Sequence, residues 1–328
     1  MANDGERAKG DIQRPEIGKL KVLVPEAQSL LTAQRARLLS PHPTLSPCAF
    51  SFPFLSLNLF GASHRAVPHS WDGLAIRRSG HGVMNLLVTG GGRGIGRATA
   101  VLAASRGWDV GINYRSDTSA ADLTAKDVQA AGRRAVKLKY DISHERDVAD
   151  MFSECTSQLG QLTGVVINAG VTAPSGPLTA ATTERLRKVF DTNIFGAYLC
   201  AREASRLLSK STADNRSIVF VSSVAAKLGS PNEYVDYAGS KGAIDTLTLG
   251  LSKELGPKGV RVNTVRPGII RTDIHELSGD PTRAERLGSM SPLGRPGEAS
   301  EVAEAIVWLL SKQASYCTGA ILDVTGGR

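Results

Sequence analysis

Residues 85–96 read NLLVTGGGRGIG, a short apolar run that passes directly into a cluster of glycines. Where a β-strand turns through glycines into a helix, backbone N–H groups and the helix N-terminus can meet a pyrophosphate. From Thr89 onward the spacing is TGxxxGxG rather than GxGxxG. A P-loop is disfavoured, because Arg97 follows Gly96 where that loop needs a lysine. The stretch predicts the first strand and phosphate-binding turn of a dinucleotide fold.

Strand-like and helix-like stretches alternate from this turn to the C-terminus. The predicted strands lie at 85–89, 109–114, 135–140, 164–168, 217–221, 260–265 and 320–324. The predicted helices run from the glycines to 106 and over 117–131, 145–160, 182–210, 237–256 and 298–311. Such alternation implies parallel strands joined by right-handed crossovers, and strands that are apolar throughout belong to a covered sheet. We predict an α/β fold over residues 84–328, with a single doubly wound parallel sheet of the Rossmann type and helices on both faces.

Residues 1–83 have a different composition. They carry ten Lys and Arg against six Asp and Glu, so half of the net charge of +8 lies in a quarter of the chain. Seven of the 15 prolines also lie there, and no helical or strand period is sustained. The apolar run 48–60 is too short to span a bilayer. We expect a disordered leader, or an extension upstream of a natural start at Met84; the alternative is a targeting or docking arm.

Composition narrows the partners and the compartment. Aromatic residues make up only 5% of the chain and do not interleave with the basic residues, which disfavours nucleic-acid binding. No CxxC pair occurs among the four cysteines, which disfavours a zinc cage and suits a reducing compartment. His144 and His275 lack metal-ligand spacing, and Cys155, Cys200 and Cys317 are expected to be packing residues. We expect a cytoplasmic protein without a metal, a membrane or a nucleic acid as partner.

The end of the second predicted strand indicates which dinucleotide is bound. An NAD-selective site places an acidic residue there to hold the ribose hydroxyls, but this chain has Tyr114. Arg115 follows, and Arg93 lies in the glycine turn. Guanidinium groups pair well with a phosphate, so the two arginines favour the 2′-phosphate of NADP. We predict NADP as the cofactor, with NAD as the alternative.

Three residues near the fifth strand suggest the chemistry. Tyr237 and Lys241 are four positions apart, so their side chains share one face of a helix. A nearby ammonium stabilises a phenolate and lowers its pKa, which makes Tyr237 a candidate general acid and base. Ser223, at the carboxyl end of its strand, is placed to bind a substrate oxygen, and Ser222 is the alternative.

With these motifs in this order, residues 84–328 resemble the short-chain dehydrogenase/reductase family, in particular bacterial sugar dehydrogenases and 3-oxoacyl reductases. The motifs are TGGGRGIG, Asp141-Ile142, Asn168-Ala169-Gly170, Asn193, Ser223, YxxxK and Pro267-Gly268. The resemblance implies a catalytic tetrad of Asn193, Ser223, Tyr237 and Lys241. The cofactor-binding residues that we predict are Gly90, Arg93, Gly94, Ile95, Gly96, Arg115, Asp141, Ile142, Asn168, Ala169, Gly170, Tyr237, Lys241, Pro267, Gly268 and Thr272. The family resemblance also implies a homo-oligomer, either a tetramer or a dimer, packed through the helices predicted at 182–210 and 237–256.

Two departures from the family pattern are present. Ser223 and Tyr237 are fourteen positions apart instead of thirteen, which the loop 224–236 has to absorb. The usual NNAG has Ile167 in place of its first Asn.

The expected activity is hydride transfer between NADP(H) and a carbonyl or secondary alcohol of a small molecule. Open alternatives are a non-catalytic NADP sensor and, within the family, a 3-oxoacyl thioester reductase or a sugar dehydrogenase. Substrate choice is assigned to a movable segment at 271–296 with a short helix inside. It fits a mostly nonpolar or mixed pocket, because its apolar residues are Ile274, Leu277, Leu287, Met290 and Leu293.

Overall fold

A computed structural model of the chain describes residues 84–274 and 279–328. Its strands are β1 Met84–Val88, β2 Trp108–Tyr114, β3 Ala135–Lys139, β4 Gly164–Ile167, β5 Arg216–Val221, β6 Val260–Pro267, β7 Ile270–Arg271, β8 Gly297–Glu298 and β9 Ile321–Val324. Seven of them form one parallel sheet in the order β3-β2-β1-β4-β5-β6-β9, and β7 pairs with β8 separately. The predicted fold class is confirmed for these residues. The predicted leader at 1–83 lies outside them, as do His275 and Leu277.

The helices connect these strands and cover the sheet. They are α1 Gly94–Ser105, α2 Thr118–Ala130, α3 Glu145–Leu159, α4 Thr183–Phe190, α5 Ala197–Leu208, α6 Ala225–Leu228, α7 Val235–Leu255, α8 Arg283–Gly288 and α9 Ala299–Leu310. The short helix expected within 271–296 is α8, whereas α6 has no counterpart in the sequence-based prediction. None of the helices in the described ranges is long and apolar enough to cross a membrane.

The sheet buries both of its faces. Successive side chains of a strand point to opposite faces, and in β1 Leu87 belongs to one apolar cluster while Leu86 and Val88 belong to the other. The first cluster packs α3, α5 and α7 against the sheet, with Phe152 fully enclosed. The second packs α1, α2 and α9, with Ile306 enclosed. This two-sided core explains why the strands read as apolar runs instead of alternating ones.

The helix predicted as one element at 182–210 is interrupted by a π-helical turn over Asp191–Gly196, between α4 and α5. Such turns are rare and occur frequently at functional sites. Gly196 packs closely against the segment between β3 and α3. A Cβ at Gly196 would be 2.9 Å from the carbonyl oxygen of Ile142 in that segment. The wider turn accommodates this approach and carries Asn193, which is 1% exposed.

Candidate active site

The sheet opens into a cleft at the carboxyl ends of its strands. The strand order reverses between β1 and β4, and in doubly wound sheets ligands bind outside such a switch point. A cavity of about 470 Å³ lies there. Every predicted catalytic and cofactor-binding residue lines it except Gly96 and Asn193, which lie immediately behind its wall.

The glycine turn has the shape needed to hold a phosphate group. Gly90 and Gly94 adopt left-handed φ angles of 62° and 52°, which side chains with a Cβ rarely adopt. A Cβ at Gly96 would collide with the carbonyl oxygen of Gly90, so only glycine allows α1 to start this close to β1. Arg93, at the N-cap of α1, makes no side-chain capping bond, and the first turn contains no acidic residue. The N–H groups of this helix end therefore fit an anionic ligand.

Two side chains join the strand ends around this turn. Asn168 Nδ2 donates to the carbonyl oxygens of Thr89 and Gly90 at 3.0 and 3.1 Å. Asn113 accepts from the Gly90 amide at 3.2 Å and donates to carbonyl oxygens of the third strand region at 3.2 and 3.0 Å. Sequence reasoning missed Asn113, although an asparagine inside an apolar strand indicates that its side chain forms hydrogen bonds in the fold.

Beside the glycine turn, two arginines that line the cleft are only weakly engaged by acidic groups. Arg115 Nη1 lies 3.9 Å from Asp141 Oδ2, and Arg93 Nη1 lies 3.9 Å from Asp117 Oδ2. Both guanidinium groups are half exposed, and both residues line the cleft. The arrangement leaves donors available for a further anion at this position.

The residues expected to carry the chemistry meet on the opposite side of the cleft. Tyr237 hydrogen-bonds with the hydroxyl of Ser223. Lys241 lies 5.6 Å from the centre of the Tyr237 ring, and its Nζ donates to the carbonyl oxygen of Val221 at 2.8 Å. Ser222 instead directs its hydroxyl to the carbonyl oxygen of Lys241 at 3.1 Å, away from Tyr237. Of the two serines, Ser223 is the one with a hydroxyl beside the phenol.

Electrostatics at this pair differ from the expectation based on sequence. Burial raises the pKa of Tyr237 to about 12, against the opposing effect of the hydrogen bond with Ser223. Burial lowers the pKa of Lys241 to about 8, and the nearby charge of Asp245 opposes that shift. Taken alone, the protein groups thus do not lower the pKa of Tyr237, because removal from water outweighs the effect of the hydrogen bond with Ser223.

The loop between Ser223 and Tyr237 contains an unusual turn after α6. Ser230 and Asn232 have φ angles of 43° and 62°, the only non-glycine residues with positive φ in the described ranges. Such conformations cost of order 1–3 kcal/mol each and persist where the surroundings enforce them. The strained turn leads directly into the start of α7, where Tyr237 lies in the first turn.

Another wall of the cleft was missed entirely by sequence analysis. Arg283 of α8 stacks over the ring of Tyr234, 4.9 Å from its centre. It also donates to both carboxylate oxygens of Glu233, at 3.1 and 2.6 Å. All three residues line the cleft. The paired residues are 50 positions apart, so no local pattern marks them.

The segment 271–296, whose apolar residues were expected to fit a mostly nonpolar or mixed pocket, brings both apolar and charged side chains to the cleft. Ile274 lines the cleft, but Leu287 is buried elsewhere, and Met290 and Leu293 are 72% and 67% exposed. The reason is that α8 faces the cleft with the charged side chain of Arg283 instead of an apolar stripe.

The cysteines of the described part of the chain lie apart from this site. Cys155 and Cys200 are buried, and burial raises the pKa of the Cys155 thiol to about 12, which makes it a poor nucleophile. No cluster of three or more His, Cys, Asp or Glu residues suited to a metal occurs among residues 84–274 and 279–328.

Comparisons with known proteins agree with this geometry. A family model described as enoyl-(acyl carrier protein) reductase matches residues 90–328. The uncharacterized oxidoreductase YgfF of Escherichia coli K12 is 49% identical over 243 residues, which cover 74% of this chain and 98% of that protein. A short chain dehydrogenase from Burkholderia cenocepacia in complex with NADP superposes with a TM-score of 0.68 at 29% identity, over 74% of this chain and 97% of that one. A 3-ketoacyl-(acyl-carrier-protein) reductase from Brucella melitensis complexed with NADH gives 0.69 at 30% identity, over 75% and 98%.

Proposed function

This chain belongs to the short-chain dehydrogenase/reductase family of oxidoreductases, and on that premise we propose that it transfers a hydride between NADP(H) and a carbonyl or secondary alcohol of a small molecule. The observation that carries the proposal is the group of Ser223, Tyr237 and Lys241 facing a cleft that also contains the glycine turn. A non-catalytic NADP sensor would have no need for the three polar groups at the substrate side.

In the proposed mechanism, bound NADP(H) supplies or accepts the hydride, and the protein handles the proton and the geometry. Tyr237 donates a proton to the carbonyl oxygen in reduction and removes it from the alcohol in oxidation. Ser223 holds the same oxygen through its hydroxyl. Lys241 binds the ribose of the cofactor and, with its ammonium, stabilises the phenolate of Tyr237. The effect of burial on Tyr237 would be offset further by the positive charge that an oxidised nicotinamide would supply in this cleft.

Asn193 is proposed to hold the site together from behind. Its Oδ1 accepts from the Val171 amide at 2.8 Å, and its Nδ2 donates to the Val171 carbonyl oxygen at 2.9 Å and to Ser240 Oγ at 3.1 Å. It lies close to Gly170, where a Cβ would be 3.3 Å from both Asn193 Oδ1 and Lys241 Nζ. This packing supports a role for Asn193 in fixing the surroundings of the lysine.

The experiment that tests the activity is a panel of ketones, aldehydes, sugars, 3-oxoacyl thioesters and their alcohols. Reaction is followed at the absorbance of NADPH and repeated with NADH. We expect turnover with at least one carbonyl or alcohol and a preference for NADPH. Tight NADPH binding without turnover across the whole panel would instead favour a sensor.

Arg115 is proposed to select NADP by binding its 2′-phosphate. Replacing it by Ala should raise the KM for NADPH about tenfold or more, because a charge-assisted hydrogen bond contributes roughly 1.5–3 kcal/mol. The KM for NADH should change less than threefold. The matched control is Arg133→Ala, an arginine paired with Asp109 that does not line the cleft. Equal loss with both cofactors would refute a phosphate-specific role.

A homo-oligomer, either tetramer or dimer, is proposed as the working assembly. Phe195, Tyr198 and Leu249 are large apolar side chains that are 51%, 42% and 46% exposed in the single chain, on the π-helical turn, α5 and α7. Oligomerisation would remove them from water. Light scattering coupled to size-exclusion chromatography should give a multiple of the 34.7 kDa chain mass. A mass of one chain at micromolar concentration would contradict this.

The proposed catalytic domain is 84–328, which contains every residue assigned a role here. The free thiols of Cys155, Cys200 and Cys317 support a reducing compartment, and we propose a cytoplasmic location. Cell fractionation would test it.

A further inference from the structure

An ion pair fixes the residue immediately before Tyr237. Asp236 is 4% exposed and accepts hydrogen bonds from Arg185 Nε at 2.8 Å and Nη2 at 3.0 Å. Arg185 comes from α4, which leads into the π-helical turn. A buried carboxylate is costly unless it is paired in good geometry. This pair therefore holds α4 and the start of α7 in one relative position.

The same guanidinium also holds the turn that leads into α7. Arg185 Nη2 donates to the carbonyl oxygen of Glu233 at 3.2 Å, and the amide of Gly176 donates to that oxygen at 3.0 Å. The turn contains the left-handed residues Ser230 and Asn232, which require support from outside to keep their strained backbone. Arg185 supplies part of that support.

A second polar bridge joins the two elements on the other side of Tyr237. Asn193 Nδ2 donates to Ser240 Oγ at 3.1 Å, and Ser240 Oγ donates to the carbonyl oxygen of Tyr237 at 2.7 Å. The α4 and π-helical segment thus contacts α7 one residue before and three residues after the tyrosine. Rotation or axial displacement of this turn of α7 would break at least one of these bridges.

We propose that Arg185 is a positioning residue, which acts through Asp236 and the Glu233 carbonyl to fix Tyr237 relative to Ser223 and Lys241. The inference rests on the proposed function, in which Tyr237 moves the proton. Arg185 does not line the cleft, so it acts without contact with substrate or cofactor. Displacement of a reacting group by about 1 Å can cost two orders of magnitude in rate, so a small shift of α7 has a large effect.

The test compares kcat per NADPH-binding site in three variants and a control. Arg185→Met should lower kcat tenfold to a hundredfold while the KM for NADPH stays within twofold of wild type. Arg185→Lys keeps the charge but not the fork of donors, so its kcat should lie between that of wild type and that of Arg185→Met. The double variant R185Q/D236N, which replaces the ion pair by an amide pair, should recover most of the kcat lost in Arg185→Met. Arg187→Met, an exposed arginine two positions further on in α4, should match wild type.

Counting NADPH-binding sites separates positioning from a loss of folded protein. A purely structural role would reduce the number of sites and the Tm, with unchanged kcat in each remaining site, and that result would overturn the proposal. If Arg185→Met does not fold, Arg185→Lys carries the test, and wild-type kcat in that variant overturns the proposal equally. Absence of turnover in wild type on the whole panel would refute the proposed function itself, a result distinct from both.

Discussion

Tyr237→Phe should lower kcat by a factor of about a thousand or more and leave NADPH binding within threefold of wild type. Positioned general acid–base groups contribute typically 10²–10⁴-fold. The variant also removes one of the two donors that would hold the substrate oxygen. The ring remains, and the lost hydroxyl has Ser223 as its partner, so the fold should be retained. Steady-state NADPH absorbance gives kcat, and NADPH fluorescence gives the binding affinity.

The matched control for this variant is Tyr316→Phe. That tyrosine is fully exposed and lies outside the cleft, so its hydroxyl should be dispensable. A Tyr237→Phe enzyme within tenfold of wild-type kcat would show that another group moves the proton. In that case the assignment of Tyr237 would be wrong even if the cofactor site is right.

Lys241→Met should lower kcat by about as much as Tyr237→Phe does. It should nevertheless make the cofactor-free protein more stable. The ammonium is buried at 4% exposure, and Val221 O is the one acceptor within hydrogen-bond distance that the described residues offer it. Burial lowers its pKa from 10.5 to about 8, a difference that corresponds to roughly 3 kcal/mol of penalty on the charged form. Methionine removes that penalty, at a cost of about 1 kcal/mol for the carbonyl left without its donor. A net gain of about 2 kcal/mol should raise Tm by roughly 4–8 °C in a domain of this size.

The pH dependence of stability provides an independent check on Lys241. Because the folded-state pKa is lower than the unfolded one, the unfolded chain binds more protons between pH 8 and 10.5. The free energy of unfolding of wild type should therefore gain from this group as the pH rises through that window. Below pH 8 the penalty is fully present. In Lys241→Met this contribution to the slope should disappear.

Chemical denaturation at pH 7, 8, 9 and 10 measures both effects for Lys241→Met. Lys253→Met, an exposed lysine on the same helix, should change neither stability nor slope. A lower free energy of unfolding for Lys241→Met than for wild type at pH 7 would contradict this prediction. It would show that the buried ammonium stabilises the fold.

Local patterns were sufficient to predict the sheet and part of the site. The glycine turn after β1 depends on backbone conformations that only glycine adopts readily, so its residues reveal its shape. Tyr237 and Lys241 share a helix face because of helical periodicity alone. Strands buried on both faces must be apolar throughout, so the apolar runs of the sequence predicted where the strands lie.

Features that arise from tertiary contacts were not predictable in this way. The Arg185–Asp236 and Arg283–Glu233 pairs join residues about fifty positions apart, and a sequence contains many arginines and acids that never meet. The π-helical turn has no distinguishing composition, and the close approach of Gly196 to Ile142 is a contact between distant parts of the sequence. The pKa of Tyr237 is raised by burial, and the extent of burial is known only from the folded structure.

The interior position of β1 has a consequence for the chain during its synthesis. On one side β1 pairs with β2, where Met84 lies opposite Trp108, and these neighbours leave the ribosome in succession. On the other side its partner is β4, where Leu86 lies opposite Gly164, so that edge has no partner until some eighty further residues have been translated. An unpaired strand edge invites association with other chains. Among the interior strands of the sheet, the one that carries the glycine turn is thus the one that waits longest for its second partner.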